Sequence, residues 1–273
     1  MSTDGATGAA AHVDAAHAGA LLAEMHMSGR TIPELPDGLR PGTVAESYAI
    51  QDALHEALAL PIGALKVGCT SEAAQAALRI DEPIAGRLAA NTLHPDGVAL
   101  DLASFHHPPF LECEFGLRFG VGVAHDDRPP DSEEAAWSLV DAVVPAVELV
   151  DSRFAQTFGA SPLSLIADNA VAAAAVLGAP VGFDPATPPA LAGVAVSLLV
   201  DGVEVATGTG ADVLGDPIRA LQWIVGHEQR RGRSIAAGTV VITGTCTGLV
   251  PVTTGAAIVA DFGPYGRVSL TVG

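Results

Sequence analysis

The chain has 273 residues, a formal net charge of −18 at pH 7, and 49% hydrophobic but only 16% charged residues. A chain this rich in apolar residues buries a large core, which excludes an intrinsically disordered protein. Its negative charge repels nucleic acid and anionic membranes, so we expect neither as a partner, although the acidity also serves solubility.

Helical patterns fill the N-terminal region. An Ala-rich stretch over 11–28 predicts one helix. The segment Thr43 to Glu46 has the form of a capping box before a second helix, which Pro61 ends. From residue 63, short apolar runs alternate with Gly, Pro, Asp and Thr clusters. We therefore predict a helical N-terminal region over 1–62 and a β-rich catalytic domain over 63–273, together one structural unit.

The β-rich part is predicted to be mixed rather than regularly alternating. Its first elements are strands at 65–68, 111–121 and 145–150, and helices at 71–78 and 132–143. Asp201-Gly202 lies between two apolar runs and predicts a two-residue hairpin. Asp216-Pro217 predicts the start of a helix that reaches about Arg231. Strands close the chain at 240–243, 256–262 and 267–272. This order predicts an α+β fold rich in β-structure.

The most informative segment runs from Leu111 to Phe119 and alternates apolar and polar residues. In a strand, Glu112 and Glu114 lie on one face, roughly 6.5–7 Å apart. Two converging carboxylates repel each other unless a cation lies between them, and oxygen ligands suit Mg²⁺ or Mn²⁺. The alternative interpretation is a half-exposed strand with a solvated acidic face.

Glu148 lies in an otherwise apolar predicted strand, where a carboxylate needs a partner. That partner is either a salt bridge to Arg118 or Arg153, or a metal for which Glu148 is the third ligand. Three carboxylates would leave positions open on an octahedral ion for substrate and water.

Lys66 is the only lysine in the chain and lies in an apolar predicted strand. A partly desolvated lysine near a metal would have a lowered pKa, which suits proton transfer, whereas a lysine at a strand end simply extends into water. Asp81 is either a turn-former or a second acid–base group. The loop Thr243–Gly248 either binds a carboxylate through N–H groups and hydroxyls or is an ordinary turn.

Motifs of several other enzyme classes are absent, and further features bear on where the protein is located. There is no GxxxxGK[ST] phosphate loop and no Gly-x-Ser-x-Gly elbow, and His106 and His107 are interpreted as loop residues. The three cysteines lack metal-ligand spacing, and the N-terminus lacks the basic region of a signal peptide. No apolar run reaches the length of a membrane span. We therefore expect a cytoplasmic enzyme.

Several segments occur in an order that is informative as a set: 65–70, 80–83, 112–114, 146–153, 166–170, 215–217 and 243–248. The set resembles the fumarylacetoacetate hydrolase superfamily, and within it the branch of 2-keto-4-pentenoate hydratases and 4-oxalocrotonate decarboxylases. The resemblance covers about residues 43–272. It implies a mixed β-roll or sandwich fold, homo-oligomers, and a place in aromatic catabolism.

The resemblance also assigns roles to residues. It implies that Glu112, Glu114 and Glu148 bind Mg²⁺ or Mn²⁺. It implies Lys66 and Asp81 as catalytic residues. Further positions of the matching segments are implied to contact substrate: Thr70, Arg153, Asp168 and Thr245.

The implied substrate is a small 2-oxo or 2-hydroxy carboxylate. The leading implied activity is a hydro-lyase reaction, the hydration of a 2-hydroxy-2,4-dienoate to a 4-hydroxy-2-oxo acid. Decarboxylation of a 2-oxo acid and C–C hydrolysis of an acylpyruvate are alternatives, and a non-catalytic metabolite binder is a further one. Hydratases of this branch usually carry Ser directly after Asp-Asn-Ala, whereas Val171 and Ala172 stand here.

Overall fold

The structure is a computed structural model that describes residues 13–273. Six α-helices lie within these residues: α1 (Ala15–Ser28), α2 (Val44–Leu58), α3 (Glu72–Leu78), α4 (Glu133–Trp137), α5 (Pro162–Ala167) and α6 (Pro217–Arg230).

Fourteen strands lie within the same range: β1 (Ile62–Gly68), β2 (Ile84–Ala89), β3 (Leu93–Pro95), β4 (Val98–Leu100), β5 (Phe110–Phe119), β6 (Val140–Val150), β7 (Ala172–Leu177), β8 (Val181–Gly182), β9 (Ala195–Val200), β10 (Val203–Thr209), β11 (Val240–Thr245), β12 (Val250–Pro251), β13 (Ala257–Asp261) and β14 (Arg267–Val272).

The strands form two sheets. The larger has the order β2-β1-β11-β5-β6-β7-β3, with β12 also paired to β5 and β8 to β6. The smaller has the order β10-β9-β13-β14-β4. Phe115 on β5 packs edge-on against Phe262, with ring centroids 5.3 Å apart, in a hydrophobic core that draws residues from both sheets. This arrangement confirms the predicted mixed, β-rich architecture.

The two N-terminal helices begin at side-chain caps. Asp14 accepts a hydrogen bond from the N–H of His17 at the start of α1, and residues 11 and 12 of the predicted helix lie outside the described range. Thr43 accepts from the N–H of Glu46 at the start of α2, while the Glu46 carboxylate accepts from Gly42. The predicted capping is therefore present, with its return bond one residue earlier than in a strict box.

The N-terminal helices pack onto the rest of the chain through a second hydrophobic cluster. It contains Leu22 of α1, Leu54 of α2, Val150 at the end of β6, Phe154 and Leu165 of α5. Both predicted parts, 1–62 and 63–273, thus contribute to one cluster, and the boundary between them stays a prediction. No helix within residues 13–273 has the length and apolar character needed to cross a bilayer.

The predicted helix over 132–143 is wrong beyond Trp137. Residues from Val140 onward belong to β6, which pairs with β5 along almost its whole length. The run is rich in β-branched valines, which favour a strand over a helix. The Ala-rich strand β7 was not predicted, because alanine has little preference for strands.

Two local predictions are confirmed. Asp201 and Gly202 connect β9 to β10, and both have positive φ angles, 51° and 78°, as a two-residue hairpin turn requires. Asp216 caps α6 by accepting from the N–H of Ile218, and Pro217 is the first helical residue.

Candidate metal centre and active-site cavity

Three glutamates converge because of the register between β5 and β6. Glu112 lies directly opposite Glu148, and Glu114 lies two residues further along the same face of β5. One carboxylate oxygen from each lies within 4.8 Å of the others, the one such group of His, Cys, Asp or Glu side chains found in residues 13–273. The structure thus brings together the three residues proposed from the sequence as ligands.

The surroundings of these carboxylates fit a cation. Glu148 is fully buried, and neither of its side-chain oxygens has a hydrogen-bond partner. The nearest positive charge is Nζ of Lys66, 3.4 Å from Oε1 of Glu148. One lysine therefore faces three carboxylates. Buried oxygens without donors are costly, and hard divalent cations prefer oxygen ligands of this kind.

Burial and the neighbouring carboxylates raise the pKa of two of these acids and so favour their protonated forms. Burial and the charge of Glu148 raise the pKa of Glu112 to about 7, although Lys66 opposes the rise. Burial and the two neighbouring carboxylates raise the pKa of Glu114 well above its usual range. A divalent ion would displace those protons and keep all three groups ionised.

Burial and the neighbouring carboxylates act in opposite directions on the pKa of Lys66. Burial alone would lower the pKa of this lysine, but the charges of Glu148, Glu112 and Glu114 reverse the effect and raise it. The raised pKa applies to the chain without a metal, and the lowered pKa expected for Lys66 beside a metal stays a prediction. Lys66 is a buried lysine on β1, and the neighbouring carboxylates favour its charged form.

The loop Thr243–Gly248 supports the carboxylates. The N–H of Gly244 donates to Oε2 of Glu114 at 2.7 Å. Gly244 has a φ of 110°, and a Cβ there would lie 2.2 Å from Oγ1 of Thr70, so only glycine fits. The hydroxyl of Thr245 donates to the carbonyl oxygen of Gly248 at 3.3 Å. At least one N–H of the loop thus binds a protein carboxylate rather than a substrate.

A cavity of about 380 Å³ adjoins this centre. Its polar lining includes Lys66, Glu112, Glu114, Thr70 and Thr245. The rest of its lining is largely apolar and comes from α3, from α5, and from the segments that contain Phe158, Val171 and Leu249. Two of the four predicted substrate contacts, Thr70 and Thr245, therefore lie at the candidate site.

Asp81 does not line this cavity. It is exposed in the turn after α3. The helix α3 itself has no buried residue, although three of its side chains face the cavity. The structure thus places the second predicted acid–base residue next to the cavity wall rather than within it.

Arg153 and Asp168 bind each other away from the carboxylates. Nη1 of Arg153 donates to Oδ1 of Asp168, and the Arg153 N–H donates to Oδ2, both at 2.8 Å. Arg153 lines a second cavity beside His26, and neither member of the pair lines the first one. Arg118 pairs with Asp141 at 2.7 Å. The proposed salt bridge from Glu148 to either arginine is therefore wrong.

The Arg153–Asp168 pair fixes a strained segment of the cavity wall. The three residues that follow Asp168 all have positive φ angles: 60° for Asn169, 49° for Ala170 and 57° for Val171. Such angles are unfavourable for side chains with a Cβ, and most of all for β-branched valine. Ala170 and Val171 line the carboxylate cavity. The ion pair thus positions residues that face the candidate site.

Sequence reasoning missed the role of His106 and His107. Nδ1 of His107 donates to Oδ1 of Asp151 at 2.8 Å, and the N–H of His106 donates to Oδ2 at 2.7 Å. Burial would raise the pKa of Asp151, but these hydrogen bonds lower it. The two histidines are loop residues, as interpreted, yet they anchor that loop. An aspartate directly after an apolar strand was the available signal.

Comparison with known proteins places the chain in a family. Residues 64–272 match the model described as fumarylacetoacetate (FAA) hydrolase, C-terminal. The chain belongs to the fumarylacetoacetate hydrolase family. A 4-oxalocrotonate decarboxylase of a Pseudomonas species is 33% identical over 254 residues, which cover 92% of this chain and 94% of the relative. A 2-keto-4-pentenoate hydratase of Paraburkholderia xenovorans is 32% identical and covers 86% of both chains.

Solved structures agree with the family assignment. A 4-oxalocrotonate decarboxylase from Pseudomonas putida G7, complexed with magnesium and adipate, has a TM-score of 0.86 at 27% identity, over 94% of this chain and 97% of that one. A fumarylpyruvate hydrolase from Pseudomonas aeruginosa, at 16% identity and a TM-score of 0.58, shares the fold alone. The resemblance and the fold predicted from the sequence are confirmed.

Proposed function

We propose that this protein is a divalent-metal-dependent hydro-lyase that converts a 2-hydroxy-2,4-dienoate into a 4-hydroxy-2-oxo acid. The observation that carries the proposal is the buried Glu112–Glu114–Glu148 cluster, in which both oxygens of Glu148 lack a hydrogen-bond donor. The relatives described as hydratases and decarboxylases support this class of reaction.

The three glutamates would hold Mg²⁺ or Mn²⁺. When bound, the ion would neutralise the substrate carboxylate and the neighbouring 2-oxygen and stabilise negative charge on the enolate. Without such a cation, the excess of acidic residues in the chain would repel an anionic substrate. Thr70 and Thr245 offer hydroxyls to the same substrate end.

Lys66 would move protons in the first step. During ketonisation the 2-hydroxyl group loses its proton and C5 gains one, which gives a 2-oxo-3-enoate. Nζ of Lys66, 3.4 Å from Oε1 of Glu148, would give its proton to C5 and would take up the proton that the 2-hydroxyl group releases, so that the lysine ends the step unchanged. Water then adds across the remaining double bond, with its oxygen on C4 and a proton on C3. Atoms balance, because the product is the substrate plus one water.

Asp81 is the second acid–base candidate, and its role requires movement. It becomes part of the site only when α3 and the turn after it shift toward the cavity. The helix buries none of its residues, although Leu78 packs partly against the core, so a small shift of α3 would uncover little apolar surface. An Asp81→Asn variant is expected to lose turnover while it keeps its affinity for Mg²⁺.

Decarboxylation is the second candidate, and one observation favours it. Val171 lines the cavity at a position where hydratases of this branch usually carry Ser, so a hydroxyl that could orient water is missing. Loss of CO₂ from a vinylogous 2-oxo acid, in which a second carboxylate is attached to C5 of a 2-oxo-3-enoate, needs no such water, since the electron pair of the broken C–C bond passes into the conjugated dienolate. A Val171→Ser variant is expected to raise hydration relative to decarboxylation. Acylpyruvate hydrolysis and metabolite binding without turnover have no such support.

The decisive experiment is a product analysis. The protein is incubated with Mg²⁺ and a panel of 2-hydroxydienoates, 2-oxo dicarboxylates and acylpyruvates, with and without EDTA, and products are read by mass spectrometry. Gain of water identifies a hydratase, loss of CO₂ a decarboxylase, and two fragments a hydrolase. Turnover that survives EDTA, or a fully active Lys66→Ala variant, would contradict the proposal.

The homo-oligomer and the place in aromatic catabolism stay predictions from the family resemblance, and the cytoplasmic location stays a prediction from the sequence features. Light scattering coupled to size-exclusion chromatography tests the first of these directly.

A further inference from the structure

The charged lining of the active-site cavity is confined to one cluster. Of the described residues that line it, only Lys66, Glu112 and Glu114 carry charge, and these group around Glu148. The remainder of the wall contains no arginine, histidine or second lysine. It is instead largely apolar, with side chains from Ala74, Ala77, Leu78, Phe158, Leu165 and Leu249.

Part of this apolar wall is only partly covered within the fold: Leu78 packs against the core and the Phe158 ring lies 5.5 Å from that of Phe110, yet neither side chain is buried. On α3, Ala74, Ala77 and Leu78 have the i, i+3, i+4 spacing of one helix face, yet no residue of the helix is buried. Phe158 and Leu249 are 43% and 45% exposed, and both line the same cavity. A hydrocarbon group within the cavity would cover these surfaces.

The cavity is also larger than the reacting part of the proposed substrate. Its volume of about 380 Å³ falls in the range of about 300–1,000 Å³ typical of sites for drug-sized ligands. A pentadienoate is much smaller than such ligands. Space therefore remains beyond the dienoate, and that space is apolar.

We propose that the substrate is a monocarboxylate with an alkyl or aryl tail beyond C5, and that the apolar wall selects against a second carboxylate. This inference rests on the proposed function, since the carboxylate cluster must bind the other end of the substrate. A terminal carboxylate in the tail region would lose its hydration without gaining a cation, which is costly. Each buried methylene of an alkyl tail instead strengthens binding about fourfold.

Affinity for unreactive 2-oxo acids tests the inference without requiring turnover. The probes are 2-oxobutanoate, 2-oxohexanoate and 2-oxoadipate, titrated calorimetrically into the protein with saturating Mg²⁺. The last two have equal chain length and differ by the terminal carboxylate. We expect 2-oxohexanoate to bind about 16-fold more tightly than 2-oxobutanoate and at least tenfold more tightly than 2-oxoadipate. Equal or tighter binding of 2-oxoadipate would overturn the inference.

The same titrations separate failure of the inference from failure of the proposed function. If 2-oxobutanoate binds only with Mg²⁺ and the tail makes no difference, the carboxylate centre stands and the apolar specificity is wrong. If none of the three acids binds in a Mg²⁺-dependent manner, the proposed function fails and the inference fails with it.

A charge placed on the wall provides a matched test. In Phe158→Arg a cation enters the apolar region from a half-exposed position, so the variant is expected to fold. It should shift the preference toward 2-oxoadipate at least tenfold. Val203→Arg is the control, because Val203 is 65% exposed and lies outside the cavity lining. An unchanged preference in Phe158→Arg, with native circular dichroism, would also overturn the inference.

Discussion

Two groups of buried charges in this protein are equally shielded from water but very differently compensated. In the carboxylate centre, Lys66 is the one cation facing three glutamates, and Glu148 accepts no hydrogen bond. In the Arg153–Asp168 pair, both aspartate oxygens accept hydrogen bonds from the arginine. Both oxygens of Asp168 are satisfied within the chain, although Nε of Arg153 has no partner, whereas neither oxygen of Glu148 accepts a hydrogen bond. Uncompensated carboxylates, rather than burial alone, therefore distinguish the candidate metal centre from the ion pair.

The largest expected effect on stability comes from breaking the Arg153–Asp168 pair. Asp168→Ala leaves the Arg153 guanidinium buried without its carboxylate and releases the strained segment that follows. We expect the free energy of unfolding in urea to fall by about 3–5 kcal/mol. The double variant Arg153→Met/Asp168→Leu should recover most of this loss. A loss below 1 kcal/mol in the single variant would show that the pair is not structural.

Removing a charge from the carboxylate centre should raise the free energy of unfolding when no metal is bound. Glu114→Gln keeps an oxygen that can accept from Gly244 but removes one of three repelling carboxylates. We expect Mg²⁺ affinity to fall about 100-fold, or about 2.7 kcal/mol, by calorimetry. In EDTA, stability should rise by about 1 kcal/mol, since repulsion raises the pKa of this group. A less stable variant in EDTA would mean that the centre serves the fold.

The pH dependence of stability provides a further test, because His227 is a buried histidine. Burial and neighbouring arginines lower the pKa of His227 to about 3, so it is neutral in the folded protein down to low pH. The unfolded chain therefore binds an extra proton between about pH 6.5 and 3, and stability is lost as the pH falls through that window. The contribution of this residue is at most about 1.4 kcal/mol per pH unit.

A matched pair of variants isolates this titration. His227→Gln should flatten the stability profile between pH 6 and 4 relative to the parent, whereas the exposed His125→Gln should not. The carboxylates titrate in all three proteins, so their effect cancels in the differences. Parallel profiles for the parent and His227→Gln would refute the assignment of a depressed pKa.

The smallest effect is expected at the surface. Arg118 and Asp141 form a bidentate but partly exposed pair on the strands that carry the glutamates. A double-mutant cycle with alanine should give a coupling of about 0.2–1 kcal/mol. Turnover in these variants should be unchanged, because neither residue contacts the centre. A substantial loss of turnover would instead indicate that Arg118 contacts the substrate.

Local sequence patterns were sufficient for much of the fold. The Asp201-Gly202 turn and the Asp216 cap depend on neighbouring residues only, and both were predicted. The start of β6 was misassigned and β7 was missed, because β6 pairs with both β5 and β7, partners that are distant in sequence. Propensity alone does not contain that information.

The candidate site could likewise be predicted from the sequence only where local patterns determine it. The alternation around Glu112 and Glu114 placed them on one face, but the position of Glu148 opposite Glu112 depends on strand register. The pairing of Lys66 with Glu148 joins strands that are not neighbours in the sheet. The partnership of Arg153 with Asp168 also had no local signal. The sequence thus predicted which residues belong to the candidate site, whereas the partner that each side chain contacts depends on the fold.

The lack of buried residues in α3 has a consequence for how this protein can change over generations. Mutations in a helix that contributes little to the core carry little penalty in stability. The side chains it presents to the cavity can therefore vary while the glutamates on β5 and β6 stay fixed. New substrate ranges would arise by drift in this one wall, which makes α3 the natural target for a directed-evolution library.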